Sequence, residues 1–143
     1  LNKNLMLFYL NITRRARTIL REQRDNIRER SGTLDEMKKL AERMKGALIK
    51  NSLDDFGRLL HEGWMFKKCL ANGITNPAID AYYDAGIAAG ALGGKVLGAG
   101  GGGFLLFYCP QSKQACVRRA MKQLKEVPFG FEPQGSKIIY VEE

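Results

Sequence analysis

Five glycines fall within six consecutive positions, Gly98, Gly100, Gly101, Gly102 and Gly103, broken only by Ala99. Glycine gives up side-chain packing for access to positive φ and for close approach of the backbone to another group. A two-residue turn would suffice to join two strands, so the run reads as functional. Amides gathered without Cβ atoms can cradle an anion, a phosphate above all. Gly98, Gly100 and Gly103 fit G-x-G-x-x-G, but the dinucleotide form of that spacing must open a helix carrying the pyrophosphate on its N-terminus. Here Phe104 to Cys109 follows, apolar and aromatic like a strand. A Walker loop ends in Gly-Lys-Ser/Thr, whereas Gly103 precedes Phe104. A protein-kinase loop sits in a hairpin, but neither H-R-D nor D-F-G follows. What remains is strand, glycine loop, strand.

The other reactive side chains are sparse. Cys69, Cys109 and Cys116 are odd in number, form no CxxC and have no histidine at metal spacing, which argues against a disulfide framework or zinc site and fits a reducing cytoplasm. His61 is the single histidine, sharing a helical face with Trp64 and Lys68 at i, i+3 and i+7. Lys95 precedes the loop within a strand, where it faces either phosphate or solvent. The net charge of +8 calls for an anionic partner. Seven arginines lie between Arg14 and Arg30, interleaved with Glu22, Asp25 and Glu29 at pairing distance, the pattern of a solvated helix face.

The elements that must position these groups follow from periodicity. Leu5 to Leu10 is an apolar run of strand length, expected to be buried on both faces. From Thr13 the period becomes helical and continues to Ser31-Gly32. Thr33 and Glu36 form the spacing of a capping box for a second helix reaching Lys50. Ser52 is placed to cap a third, closed by Asn72-Gly73, and Asn76-Pro77 to open a fourth that runs to Gly90. After the glycine-centred strands, Pro110 and Ser112 begin a helix with Cys116 or Val117, Ala120, Met121 and Leu124 inward. Val127 to Phe131 and Lys137 to Val141 read as two closing strands around Pro133-Gln134-Gly135. The 143 residues form one domain of α+β class, a mainly antiparallel sheet covered by helices, compatible with a ferredoxin-like core carrying inserted helices. No apolar run approaches the roughly 18 residues of a membrane span.

Gly93-Gly94-Lys95-Val96-Leu97-Gly98-Ala99-Gly100-Gly101-Gly102-Gly103-Phe104 resembles the third motif of the GHMP kinases. Leu60-His61-Glu62-Gly63-Trp64 with Lys67 and Lys68, then Ile74 to Asp80, resembles the helical part of their sugar-kinase branch, and Val127 to Tyr140 resembles the end of the heptose 7-phosphate kinases. The resemblance implies a two-domain enzyme that moves the γ-phosphoryl of ATP, with Mg²⁺, to a sugar or sugar phosphate at its anomeric hydroxyl. The family's nucleotide loop, P-x-x-x-G-L-G-S-S-A, and its catalytic aspartate belong to an N-terminal domain and occur nowhere in these residues. Residues 1–143 are therefore expected to be a C-terminal domain, inactive alone, with no catalytic residue or metal site of its own.

The resemblance implies that Gly98, Ala99, Gly100, Gly101, Gly102 and Gly103 complete the nucleotide site. Arg14 and Arg15, at the start of a helix where the family places sugar contacts, suit a phosphate through bidentate guanidinium bonds, and His61, Lys68 and Lys95 are further candidate contacts. Gly101→Val is expected to lower kcat while leaving the fold intact. The alternatives are a fucokinase-like sugar 1-kinase, a ferredoxin-like module whose basic face takes RNA, and a structural dimerisation domain. RNA is disfavoured because the sheet lacks a basic-aromatic pattern.

Overall fold

The computed structural model describes residues 1–13 and 16–135. Strand β1 (Leu5–Tyr9) leads through helices α1 (Ala16–Asp25), α2 (Ser31–Ile49), α3 (Leu53–Lys68) and α4 (Pro77–Ala88) into strands β2 (Gly93–Val96) and β3 (Phe104–Tyr108). Helix α5 (Gln114–Ala120) and strand β4 (Lys125–Glu126) follow. The sheet order is β2-β3-β1-β4 and every pair is antiparallel. A βαββαβ core with four helices between its first two strands realises the expected ferredoxin-like arrangement.

The sheet is two-sided. Met6 and Phe8 of β1 are buried while Leu5, Leu7 and Tyr9 are only half-buried, so the strand alternates instead of being enclosed on both faces. In register, Phe8 faces Leu105, which faces Val96. These side chains form one core with Ile79 and Tyr83 of α4 and Val117 and Met121 around α5. Full burial of each large apolar side chain contributes roughly 1.5–3 kcal/mol before entropy is counted. Helix α3 lies close against β2, with a Cβ on Gly93 overlapping the Gly57 carbonyl oxygen.

Helix boundaries carry most of the departures from expectation. Asn76 caps α4 as predicted, its Oδ1 accepting from the Ile79 amide at 3.0 Å with Pro77 behind it. The capping box does not form: α2 starts at Ser31 with Arg30 in the cap position, and the Leu34 amide donates to Arg30 O. The chain coils without interruption from Asn26 to Arg30, and Asn26 Nδ2 donates to Leu70 O, so Thr33 falls inside the first turn. Helix α2 ends in a Schellman motif, Ser52 N donating to Ala47 O and Asn51 N to Leu48 O with Asn51 at φ 54°. Ser52 holds the cap position of α3 without a side-chain bond, and α3 stops at Lys68; Asn72–Ile74 is a separate turn of 3-10 helix. Val117 and Met121 point inward as expected, whereas Ala120 is exposed. The fourth strand is Lys125–Glu126, two residues ahead of the expected Val127 start, because Val127 N already donates to Leu7 O at its end. Residues 137 to 141 lie outside the described residues.

Candidate functional site

The glycine run joins β2 to β3 at one end of the sheet, and two carbonyls from distant segments fix its inner side. Ile74 O accepts from the Gly101 amide at 2.7 Å, and Ile12 O accepts from the Gly103 amide at 2.9 Å. Gly103 O accepts in turn from Leu10 N, so the chain leaving β1 and the loop brace one another. A Cβ on Gly100 would sit 2.7 Å from Ile74 O, and one on Gly102 would overlap Ile12 O. These glycines are required by approach of the domain's own backbone. Gly101 is buried at φ 74°, so valine there strains the fold itself and does not isolate approach by another group.

Gly98 and Gly103 differ. Both have positive φ, at 69° and 84°, yet a Cβ on either meets nothing within 4 Å. Among the described residues the amides of Gly98, Ala99, Gly100 and Gly102 make no hydrogen bond. Gly98 and Gly100 lie at positive φ, 69° and 99°, and Ala99 between them does not; successive free amides that alternate in this way can form an anion-binding concavity.

Lys67, at the last turn of α3, contacts this loop. Its Nζ donates to Gly98 O at 2.5 Å and lies 3.5 Å from Val96 O. Burial, reinforced by the charge of Lys95, lowers the Lys67 ammonium to about 8. Sequence reading missed Lys67 as a site residue, although Leu60, Gly63, Trp64 and Lys67 follow i, i+3, i+4, i+7 and line one cavity with Lys95. The helical stripe was the available signal.

The remaining candidates are placed as follows. His61 Nδ1 lies 2.8 Å from the Tyr83 hydroxyl, and their rings stack at 5.9 Å. Burial raises the Tyr83 phenol, opposed by the bond it receives from the Gly94 amide. His61 and Tyr83 thus tie α3 and α4 to β2. Lys68 pairs with Asp80 at 3.1 Å, where Thr75 Oγ1 also donates, so it is committed to α4 while Lys67 reaches the loop. Arg14 and Arg15 lie outside the described residues. On α1, Arg17, Arg21 and Arg24 are exposed, the last two within 4 Å of Asp25. Cys109 is fully buried and its thiol is pushed up to about 11 by burial, which leaves it an unreactive hydrophobe. No three of the described Asp, Glu, His or Cys residues gather where they could hold a metal ion. No helix of the described residues is long and apolar enough to cross a membrane.

Residues 30–126 match the family model for the C-terminal region of GHMP kinases. The chain is 27% identical over 141 residues to a D-glycero-alpha-D-manno-heptose 7-phosphate kinase of Campylobacter jejuni, covering 96% of this chain and 42% of that protein. It is 38% identical over 117 residues to the L-fucokinase/L-fucose-1-P guanylyltransferase of Bacteroides fragilis, covering 79% of this chain and 12% of that one. The chain thus spans less than half the length of either relative. Its fold superposes on L. major mevalonate kinase, solved with R-mevalonate, with a TM-score of 0.73 at 14% identity, covering 83% of this chain and 37% of the other.

Proposed function

The chain belongs to the GHMP kinases, of which it carries the C-terminal domain, and we propose that in its parent protein it completes the phosphoryl-transfer site of an ATP-dependent sugar kinase. The observation that carries this reading is the division of the glycine loop. Its inner side is locked by Ile12 and Ile74 carbonyls, and its outer amides are left for an anion. Phosphoryl transfer is largely positioning and charge stabilisation, so a domain that supplies fixed amides and ammonium groups contributes without supplying a base. ATP is the phosphoryl donor, and the nucleotide loop, base and magnesium ligands belong to the N-terminal partner domain.

For the acceptor we favour a heptose 7-phosphate at its anomeric hydroxyl, because similarity to the heptose phosphate kinase extends over 96% of this chain. Arg14 and Arg15 are assigned to the acceptor's own phosphate. A fucokinase-like acceptor is the second reading, favoured by the higher identity over a shorter span. Coupled ADP release from the full-length protein with heptose 7-phosphate, unphosphorylated heptose and L-fucose separates the two. Heptose 7-phosphate should give the highest kcat/KM, Arg14→Ala with Arg15→Ala should raise its KM about tenfold or more, and residues 1–143 alone should release no ADP. A preference for L-fucose would replace the first reading by the second, and sugar-dependent turnover by residues 1–143 would contradict the division of labour.

A further inference from the structure

A cavity of about 240 Å³ opens between α2 and α3 beside β2. Met37 and Met44 of α2 and Leu60 and Trp64 of α3 give it an apolar wall, and Lys67 and Lys95 add two ammonium groups. Among the described residues no carboxylate pairs with either lysine. Trp64 is 1% exposed, and its indole Nε1 is a buried donor with no hydrogen-bond partner. Buried polar groups in folded proteins are nearly always satisfied; this one is sealed within the wall, so the two lysines are the polar groups that the cavity itself presents. Methionine supplies an adaptable surface that accepts varied apolar shapes.

We propose that this cavity is a regulatory site for an amphipathic monoanion, an aliphatic carboxylate of medium length, with its head on Lys67 and Lys95 and its chain between α2 and α3. The size fits: an apolar cavity of about 150 Å³ holds a benzene ring, so the larger space here suits a chain of about six to eight carbons. The charge fits as well, since an uncompensated pair of ammonium groups beside apolar surface favours a negative head over a neutral or positive one. Lys67 is the link to function. Its Nζ donates to Gly98 O, and a carboxylate in the cavity draws the ammonium towards itself, weakening the hold on the first residue of the glycine loop. Occupation of the cavity therefore lowers phosphoryl transfer without occupying the sugar site. This coupling rests on the reading of the loop as half of a kinase site, whereas binding itself does not.

The test is calorimetric titration of the full-length protein with octanoate, with 1-octanol and octylammonium as neutral and cationic controls. Octanoate should bind at least tenfold more tightly than either control. Met44→Trp, which fills the cavity away from the loop, should abolish binding with basal turnover unchanged. Lys95→Met, a second variant that leaves the cavity wall in place, should weaken binding at least tenfold. In the kinase assay octanoate should lower kcat with the sugar KM unchanged, and Met44→Trp should be insensitive to it. No binding at millimolar octanoate, equal binding of octanol, or full binding by Met44→Trp would overturn the site. Binding without any effect on kcat would overturn the coupling. If no sugar supports ADP release at all, the kinase reading fails while the titration still decides the cavity.

Discussion

Asparagine at Gly98 separates the two jobs of the glycine loop. Gly98 has φ 69° and open space where a Cβ would stand. Asparagine is among the few residues that adopt this left-handed conformation readily, at a cost on the order of 1 kcal/mol or less. Gly102→Ala is the opposite case, because its methyl group would overlap the Ile12 carbonyl oxygen and lie 2.8 Å from the Ile12 carbon. That carbonyl cannot swing away freely, since it accepts from Gly103 N at 2.9 Å. Overpacking of about 1–3 kcal/mol, with about 1 kcal/mol more if the hydrogen bond breaks, falls on stability. Thermal unfolding and kcat/KM for ATP, measured together on the full-length protein, give each variant two coordinates. Gly98→Asn should keep Tm within about 4 °C of wild type while kcat/KM falls about 100-fold, the loss expected when positioned donors are displaced from a phosphoryl group. Gly102→Ala should lose several degrees of Tm, so any loss of its activity says nothing about ligand approach. Wild-type turnover in Gly98→Asn at unchanged Tm would refute the claim that the outer side of the loop meets nucleotide.

Two further outcomes follow from the same geometry. Lys67, lowered to about 8 by burial and by Lys95, should give kcat/KM an alkaline limb near pH 8, absent in Lys67→Met, because the neutral amine loses its charge-assisted bond to Gly98 O. Stability should move the other way: a lysine lowered in the fold binds fewer protons than in the unfolded chain between about pH 8 and its ordinary value of 10.5, so folding is favoured as pH rises through that window. After solvent screening the gain is on the order of 1 kcal/mol, and denaturant titrations at pH 7 and pH 9.5 on both proteins measure it. Asn76→Ala should cost about 1 kcal/mol in the same titrations by removing the bond from Ile79 N, with kcat unchanged.

Much of the fold was legible because its signals are local. Asn76-Pro77 carries its cap and its first-turn residue in two adjacent positions, and the apolar runs flanking the glycines are strands on either side of a loop too long for a tight turn. Thr33 and Glu36 misled because the turns from Asn26 run on into α2, where Arg30 holds the cap position and its carbonyl takes the Leu34 amide, leaving Thr33 inside the first turn. The end of α3 was misplaced for a different reason, since Asn72 N donates to Glu22 Oε1 from α1 and so belongs to a separate turn. At the site, the glycines were visible and their division was not. Which glycine faces inward depends on Ile12 and Ile74, carbonyls whose arrival no spacing in the sequence announces. Lys67 was within reach of sequence reasoning, as it continues the stripe of Leu60 and Trp64, but lysine beside Lys68 at a helix end reads first as dipole compensation.

The bracing of the loop bears on how it can act. A glycine-rich connection without partners would be mobile, and ordering it around a phosphate would consume binding energy. Here Gly101 and Gly103 are held by the carbonyls of Ile74 and Ile12, and Gly98 O is held by Lys67. The amides left between these anchors are consequently oriented before any ligand arrives, and donors that need no reorganisation are the ones that stabilise developing charge most effectively. The anchors also come from three separate parts of the chain, the exit of β1, the turn before α4 and the end of α3. Loosening any one of them should therefore reach the outer amides, which is why a head group drawing on Lys67 would act on the loop without touching the phosphoryl group.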